Sequence, residues 1–181
     1  MFRQTAFGMA LSTLVLASGL MTDPVPSNNS AKKITYTQSF NTSSQAAILN
    51  LGSENATLEK LVFEQINQYR VSQGLSKLTL NASITQQARI HSQNMANGIV
   101  KFSHHGLEQR VKAIPLKYDN AAENVAFNVG YSDPAKQAVI GWLNSPGHLH
   151  NIQGNFKLTG VGVATNAKGE VYLTQIFVNT K

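Results

Sequence analysis

The sequence predicts an α+β domain with an antiparallel sheet. Three observations lead there: two segments with apolar residues at helical spacing come first, a proline-initiated helix follows, and the last third switches to strand-like runs joined by a short turn. No βαβ repeat occurs, so a parallel doubly wound sheet is not expected.

The elements follow in order. Thr57 is placed to cap a first helix in which Leu58, Leu61, Val62, Ile66 and Tyr69 share one face, ending at Gly74. Asn81 caps a second, with Ile84, Ala88, His91 and Met95 as its stripe and Gly98 closing it. His91 lies on that stripe, which suits a hydrogen-bonded core or inter-helix histidine better than a ligand. Asp133-Pro134 opens a third helix, an N-cap followed by proline at the first helical position, and Ala138, Val139, Trp142 and Leu143 continue it to Pro146-Gly147. Trp142 is assigned to the core. Residues 160–164 and 171–178 read as strands joined by a turn around Asn166 to Gly169, and residues 125–129 as a third strand.

Ahead of these elements the chain has a different character. Met1 to Gln4 carries one positive charge, and Thr5 to Met21 is uncharged and mostly apolar but diluted by Gly, Ser and Thr. With Ala17 and Gly19 before Asp23-Pro24, residues 1–21 read as a cleaved signal peptide rather than a retained anchor. Residues 22–56 read as a flexible linker rich in Pro, Ser and Asn; the alternative is an arm packing on the domain through Ile48, Leu49 and Leu51. The folded domain is then residues 57–181. The expected location is outside the cytoplasm, secreted or periplasmic, with no transmembrane segment left after cleavage.

Composition agrees with that and narrows the chemistry. The chain of 181 residues has 15 Lys+Arg, 9 Asp+Glu and no cysteine. Without Cys, thiolate metal sites, disulfides and Cys nucleophiles are excluded. Asn and Gln number 30 against 24 charged residues, so amides supply much of the polarity. The net positive charge suits anionic surfaces such as cell-wall polymers or lipid headgroups. No basic run longer than Lys32-Lys33 exists, so nucleic acid is not an expected partner.

Four of the five histidines fall in two groups, His104-His105 and His148-x-His150, and Glu123 stands between them in an uncharged stretch. Imidazole and carboxylate are the ligands Zn²⁺ takes when thiolate is absent, although the separations are long and no His-Glu-x-x-His helix is present. Scattered surface histidines remain the alternative. In a helix over residues 148–152, His150 would point about 200° from His148, so those two would not chelate together.

Several short motifs together resemble the CAP superfamily of cysteine-rich secretory, venom-allergen and pathogenesis-related proteins, in its bacterial SCP-like branch. They are Phe102-Ser103-His104, Glu123-Asn124-Val125, the run from Trp142 to Ile152, Gly160-Val161-Gly162 and Tyr172 to Phe177, with Ile66-Asn67-Gln68-Tyr69-Arg70 in the first helix. The resemblance covers roughly Thr57 to Val178. It implies an α-β-α sandwich with a central antiparallel sheet, and a shallow cleft of two His and two acids that holds a cation. Carried over by position, the metal ligands are His104, Glu123 and His148; the second acid falls near Ser145 and Pro146, so His-Glu-His remains. His105 is the substitute if the alignment slips by one. Ala122 replaces the usual Gly before Glu-Asn and calls for ordinary negative φ. Asn124, Ser145 and Asn151 are expected to support the cleft.

The function implied is a binding module whose cleft holds zinc or another divalent cation weakly, with no organic cofactor. Two alternatives accompany it. One is a metal-assisted hydrolase of peptide or cell-wall substrates using His104, Glu123 and His148, with Glu123 as the candidate catalytic residue. The other is a lipid- or sterol-binding carrier. A serine hydrolase built on Ser145 lacks the Gly-x-Ser-x-Gly context.

Overall fold

The structure, a computed structural model, describes the backbone of residues 33–180 and the side chains of residues 44–180. The signal-peptide expectation for residues 1–21 lies outside the described residues. The chain divides into two units, Met1–Ser39 and Phe40–Lys181, and the second holds the sheet and the helical layers packed on it.

The element order is α1 (Lys33–Ser72), β1 (Thr79–Leu80), α2 (Ala82–Ala96), α3 (Leu107–Lys112), β2 (Tyr118–Asn128), α4 (Pro134–Leu143), α5 (Pro146–Gln153), β3 (Leu158–Thr165) and β4 (Val171–Thr180). The sheet has the order β1-β3-β4-β2. The long pairs β3–β4 and β2–β4 are antiparallel as expected, whereas the two-residue β1 pairs with β3 in parallel.

Alternation along β4 sorts the core into two layers. Val171, Leu173 and Phe177 face a cluster built with Val62 and Ile66 of α1, Val139 and Trp142 of α4, and Ile152 of α5. Ile176 and Val178 face Ile84 and Ala88 of α2 and Val111 of α3. Helices therefore cover both faces, the α-β-α sandwich. Trp142 is buried and its indole N–H donates to Val125 O at 2.9 Å, anchoring α4 to β2.

Close approach of α2 to β3 explains Gly160-Val161-Gly162. A Cβ on Gly160 would lie 2.2 Å from Thr85 N, and one on Gly162 would lie 2.1 Å from Arg89 N. Only glycine admits the helix backbone so near, and Ser92 Oγ closes the contact by donating to Gly162 O at 2.9 Å.

The caps of α2 and α4 are as the sequence predicts. Asn81 Oδ1 accepts from Ser83 N and Ile84 N, and Asp133 Oδ1 accepts from Lys136 N at 2.9 Å. The start of the first helix is not. Thr57 is no cap: it sits inside α1, its hydroxyl donating to Ser53 O one turn back. Leu61 is 37% exposed, so the buried face of α1 runs through Val62 and Ile66. The arm does not pack through Ile48 and Leu49, which are 69% and 74% exposed. No non-glycine residue among those described has positive φ, so Ala122 is unstrained.

Candidate functional site

Because β2 is an edge strand, its residues alternate between the two helical layers at a rim of the sheet. Glu123 turns towards α3 and Asn124 towards α5. Between them a shallow cavity of about 450 Å³ is lined by His104, Leu107, Glu123, Ser145, His148 and Asn151. The structure thus brings together His104, Glu123 and His148, with Ser145 and Asn151 beside them.

Glu123 is the centre of the arrangement. Its side chain is fully buried, and both oxygens are taken by Arg110 of α3: Nε donates to Oε2 at 3.0 Å, and Nη2 lies 2.8 Å from Oε1 and 2.7 Å from Oε2. His104 Nδ1 lies 3.1 Å from Oε1. The carboxylate is thus held by a guanidinium and an imidazole. Arg110 also donates to His105 O at 2.8 Å, so one side chain fixes both the acid and the turn that presents His104.

His148 enters from the first turn of α5, which Pro146 opens. The His104 and His148 ring centroids are 6.1 Å apart. Burial, and secondarily the neighbouring His104, lower the His148 pKa below its ordinary value, favouring the neutral ring. Asn124 Nδ2 donates to His148 O at 3.2 Å, and Asn151 Nδ2 donates to Asn124 Oδ1 at 2.9 Å and to Glu123 O at 3.2 Å. These amides tie α5 to β2 directly beneath the cleft. Ser145 is the N-cap position of α5 but makes no side-chain capping bond.

The remaining histidines lie elsewhere. His105 and His150 are exposed and do not line the cavity. His91 is buried, with Nε2 2.8 Å from Ser103 O, which ties α2 to the loop before His104. Burial lowers its pKa, against the opposing hydrogen bond to Ser103.

As placed, the donors do not amount to three protein ligands: among the described residues no three His, Asp or Glu side chains are grouped to hold a metal ion. Arg110 occupies the carboxylate and sets a positive charge against it. The imidazoles remain, His104 with Nε2 available and His148 with its ring in the cavity. Arg110 is the site residue that sequence reasoning missed. A buried carboxylate demands a cation, yet nothing in the sequence separates Arg110 from Lys101, Lys112 or Lys117 as its partner.

Comparison with known proteins bears on most of the chain. The CAP profile, described as the cysteine-rich secretory protein family, matches residues 63–177. An uncharacterized membrane protein, YlbC, of Bacillus subtilis (strain 168) is 36% identical over 128 residues, 67% of this chain and 34% of that protein. The uncharacterized protein YkwD of the same organism is 30% identical over 156 residues, 83% of this chain and 56% of that protein. The chain thus spans about a third and just over half the length of these relatives. A crystal structure of an extracellular protein containing an SCP domain, from Bacillus anthracis str. Ames, superposes with a TM-score of 0.61 at 27% identity, covering 72% of this chain and 43% of that one. Motifs, layered fold and these matches agree: the chain belongs to the CAP family of cysteine-rich secretory proteins, although it contains no cysteine.

Proposed function

We propose that the domain is a secreted binding module whose cleft holds a divalent cation weakly through the imidazoles of His104 and His148. The observation that carries this is the grip of Arg110 on both oxygens of Glu123. A carboxylate so held serves as the orienting partner of an imidazole, fixing its tautomer, rather than as a ligand. Its contact with His104 Nδ1 leaves Nε2 as the nitrogen able to ligate.

Two rings centred 6.1 Å apart are near enough to share one ion at ordinary Zn–N distances of about 2.0–2.1 Å. The lowered His148 pKa favours the neutral form that carries a free lone pair. Two protein ligands bind less tightly than the three or four of catalytic and structural zinc sites, hence the weak affinity. When bound, a cation supplies a positive charge at the mouth of the cleft, a handle for a polar or anionic ligand group. The apolar, uncharged segment before Asp23 and the extracellular relative support export.

The alternative of a metal-assisted hydrolase needs Glu123 free to accept a proton or to ligate, and its engagement by Arg110 favours binding instead. Calorimetric zinc titration of the full chain tests the proposal. His104→Ala and His148→Ala should each abolish measurable binding; equal affinity in all three proteins would refute it. Zinc-dependent cleavage of peptide or cell-wall substrates, lost in Glu123→Gln, would establish the hydrolase in its place.

A further inference from the structure

β3 has a strand partner on its outer side only at Leu158 and Thr159, because β1 is two residues long. Beyond that point α1 and α2 are joined across the open edge by an ion pair. Arg89 Nε donates to Glu59 Oε1 at 2.8 Å and Nη2 donates to Oε2 at 2.5 Å. Oε1 also accepts from the edge amide Val163 N at 3.2 Å. Glu59 is buried, and both of its oxygens are satisfied inside the protein.

Around this pair the helices leave a hollow of about 510 Å³, lined by Asn55 of α1 and by Gln86, Arg89, Ile90 and Gln93 of α2. A smaller hollow of about 220 Å³ adjoins it and shares Ala56, Glu59 and Arg89. The hydrogen-bonding groups left over here are mostly amides. Gln86 has no side-chain partner among the described residues. Gln93 uses only Nε2, which donates to Asn97 Oδ1 at 3.0 Å, and Asn55 uses only Oδ1, which accepts from Thr165 Oγ1 at 2.8 Å. Asn55 Nδ2 and Arg89 Nη1 are therefore uncommitted donors, Gln93 Oε1 is an uncommitted acceptor, and Gln86 can serve as both.

We infer that this hollow is a binding site for an uncharged, hydroxyl-rich ligand, a short glycan of hexose units. Three properties select that class. The charges cancel in place: an ionic ligand would have to draw Arg89 or Glu59 from its partner, and a buried carboxylate left unpaired costs more than an exposed ion contact returns. The uncommitted groups include donors and acceptors side by side, and a hydroxyl is both at once. Ile90, 41% exposed, is the large apolar side chain that the lining offers to solvent, enough to meet the C–H face of a sugar ring. A hydrocarbon would instead cover amides without pairing them. An extended peptide would turn every second side chain towards the lining, where a closed ion pair and amides await it. The larger hollow falls within the range of about 300–1,000 Å³ of small-molecule sites. No residue of the proposed cation cleft takes part.

Nitrogen-15 HSQC titration of the full chain tests this, with chitotriose and cellotriose as separate probes for an N-acetylated and a plain glycan, and trialanine as the peptide probe. At least one glycan should shift the side-chain amide signals of Asn55, Gln86 and Gln93 at millimolar concentration. The shifts should persist in about 0.5 M sodium chloride, where exposed charge contacts are screened. Gln86→Ala and Gln93→Ala, at exposed helix positions that alanine suits, should each weaken glycan binding about threefold to tenfold, the loss of one net hydrogen bond. Zinc binding should be unchanged in both variants. The inference is overturned by trialanine binding more tightly than both glycans, by glycan binding that salt abolishes, by unaltered affinity in both variants, or by the absence of any shift with either glycan.

Discussion

Replacing Arg110 by methionine removes the cation that faces Glu123 while keeping much of the stem that packs on α3. The carboxylate side chain is fully buried and the guanidinium is 10% exposed, so the pair behaves as an interior one. Breaking a buried pair from one side leaves an uncompensated charge, which costs about 3–5 kcal/mol. His104 cannot make up the loss, since it supplies one contact at 3.1 Å against three from Arg110. Glu123→Gln removes the charge at the other end and should cost less. The double variant Arg110→Met/Glu123→Gln should be more stable than Arg110→Met alone, with a coupling of about 2–3 kcal/mol. Urea unfolding followed by fluorescence is the assay, because Trp142 is the single tryptophan and is buried. Losses below about 1 kcal/mol that simply add in the double variant are the signature of a surface ion pair, and would refute the assignment of Arg110 as the anchor of Glu123.

Gly162→Ala should lose about 1–3 kcal/mol or more through overpacking against Arg89 N and Ala88 C, lowering the calorimetric Tm by about 2–4 °C per kcal/mol. Gly147→Ala, with open space around its Cβ, should change stability by less than about 0.5 kcal/mol; equal effects would remove the close-approach argument. The His91 pKa is lowered by burial, so below about pH 6.5 the unfolded chain takes up the proton first. Its contribution to stability is complete above that pH and is lost as the pH falls towards the folded-state value. Urea midpoints should therefore fall between about pH 7.5 and pH 5, and less so in His91→Gln; an unchanged slope would exclude His91 as a source. Asn81→Ala should cost about 1 kcal/mol by removing the α2 cap, and no change in urea midpoint would show that the cap is dispensable.

Elements that bury an apolar face were legible in the sequence. The hairpin shows through its alternation and through Asn166, whose Oδ1 accepts from Lys168 N and Glu170 N in the turn. The caps Asn81 and Asp133 carry local signals that need no tertiary context. The early part of α1 carried no such signal. Ile48 and Leu49 are exposed in it, and Pro, Ser and Asn upstream read as a linker. β1 has only two residues and α3 only six, too short for periodicity to register.

At the site the histidine groups and the isolated Glu123 stood out before folding. What their spacing could not show was which charge faces Glu123, because the Arg110 contact arises only when α3 docks on the rim of β2. The same holds for Gly160 and Gly162, whose motif was visible but whose reason lies in the backbone of α2.

Nitrogen-15 NMR of the imidazoles during a zinc titration tests the central claim most directly. His104 Nδ1 should keep the proton it shares with Glu123, while His104 Nε2 and one His148 nitrogen shift together as zinc is added. Zinc that leaves both rings unmoved, or that displaces the His104 Nδ1 proton, would contradict an Arg110-held Glu123 orienting a two-histidine site.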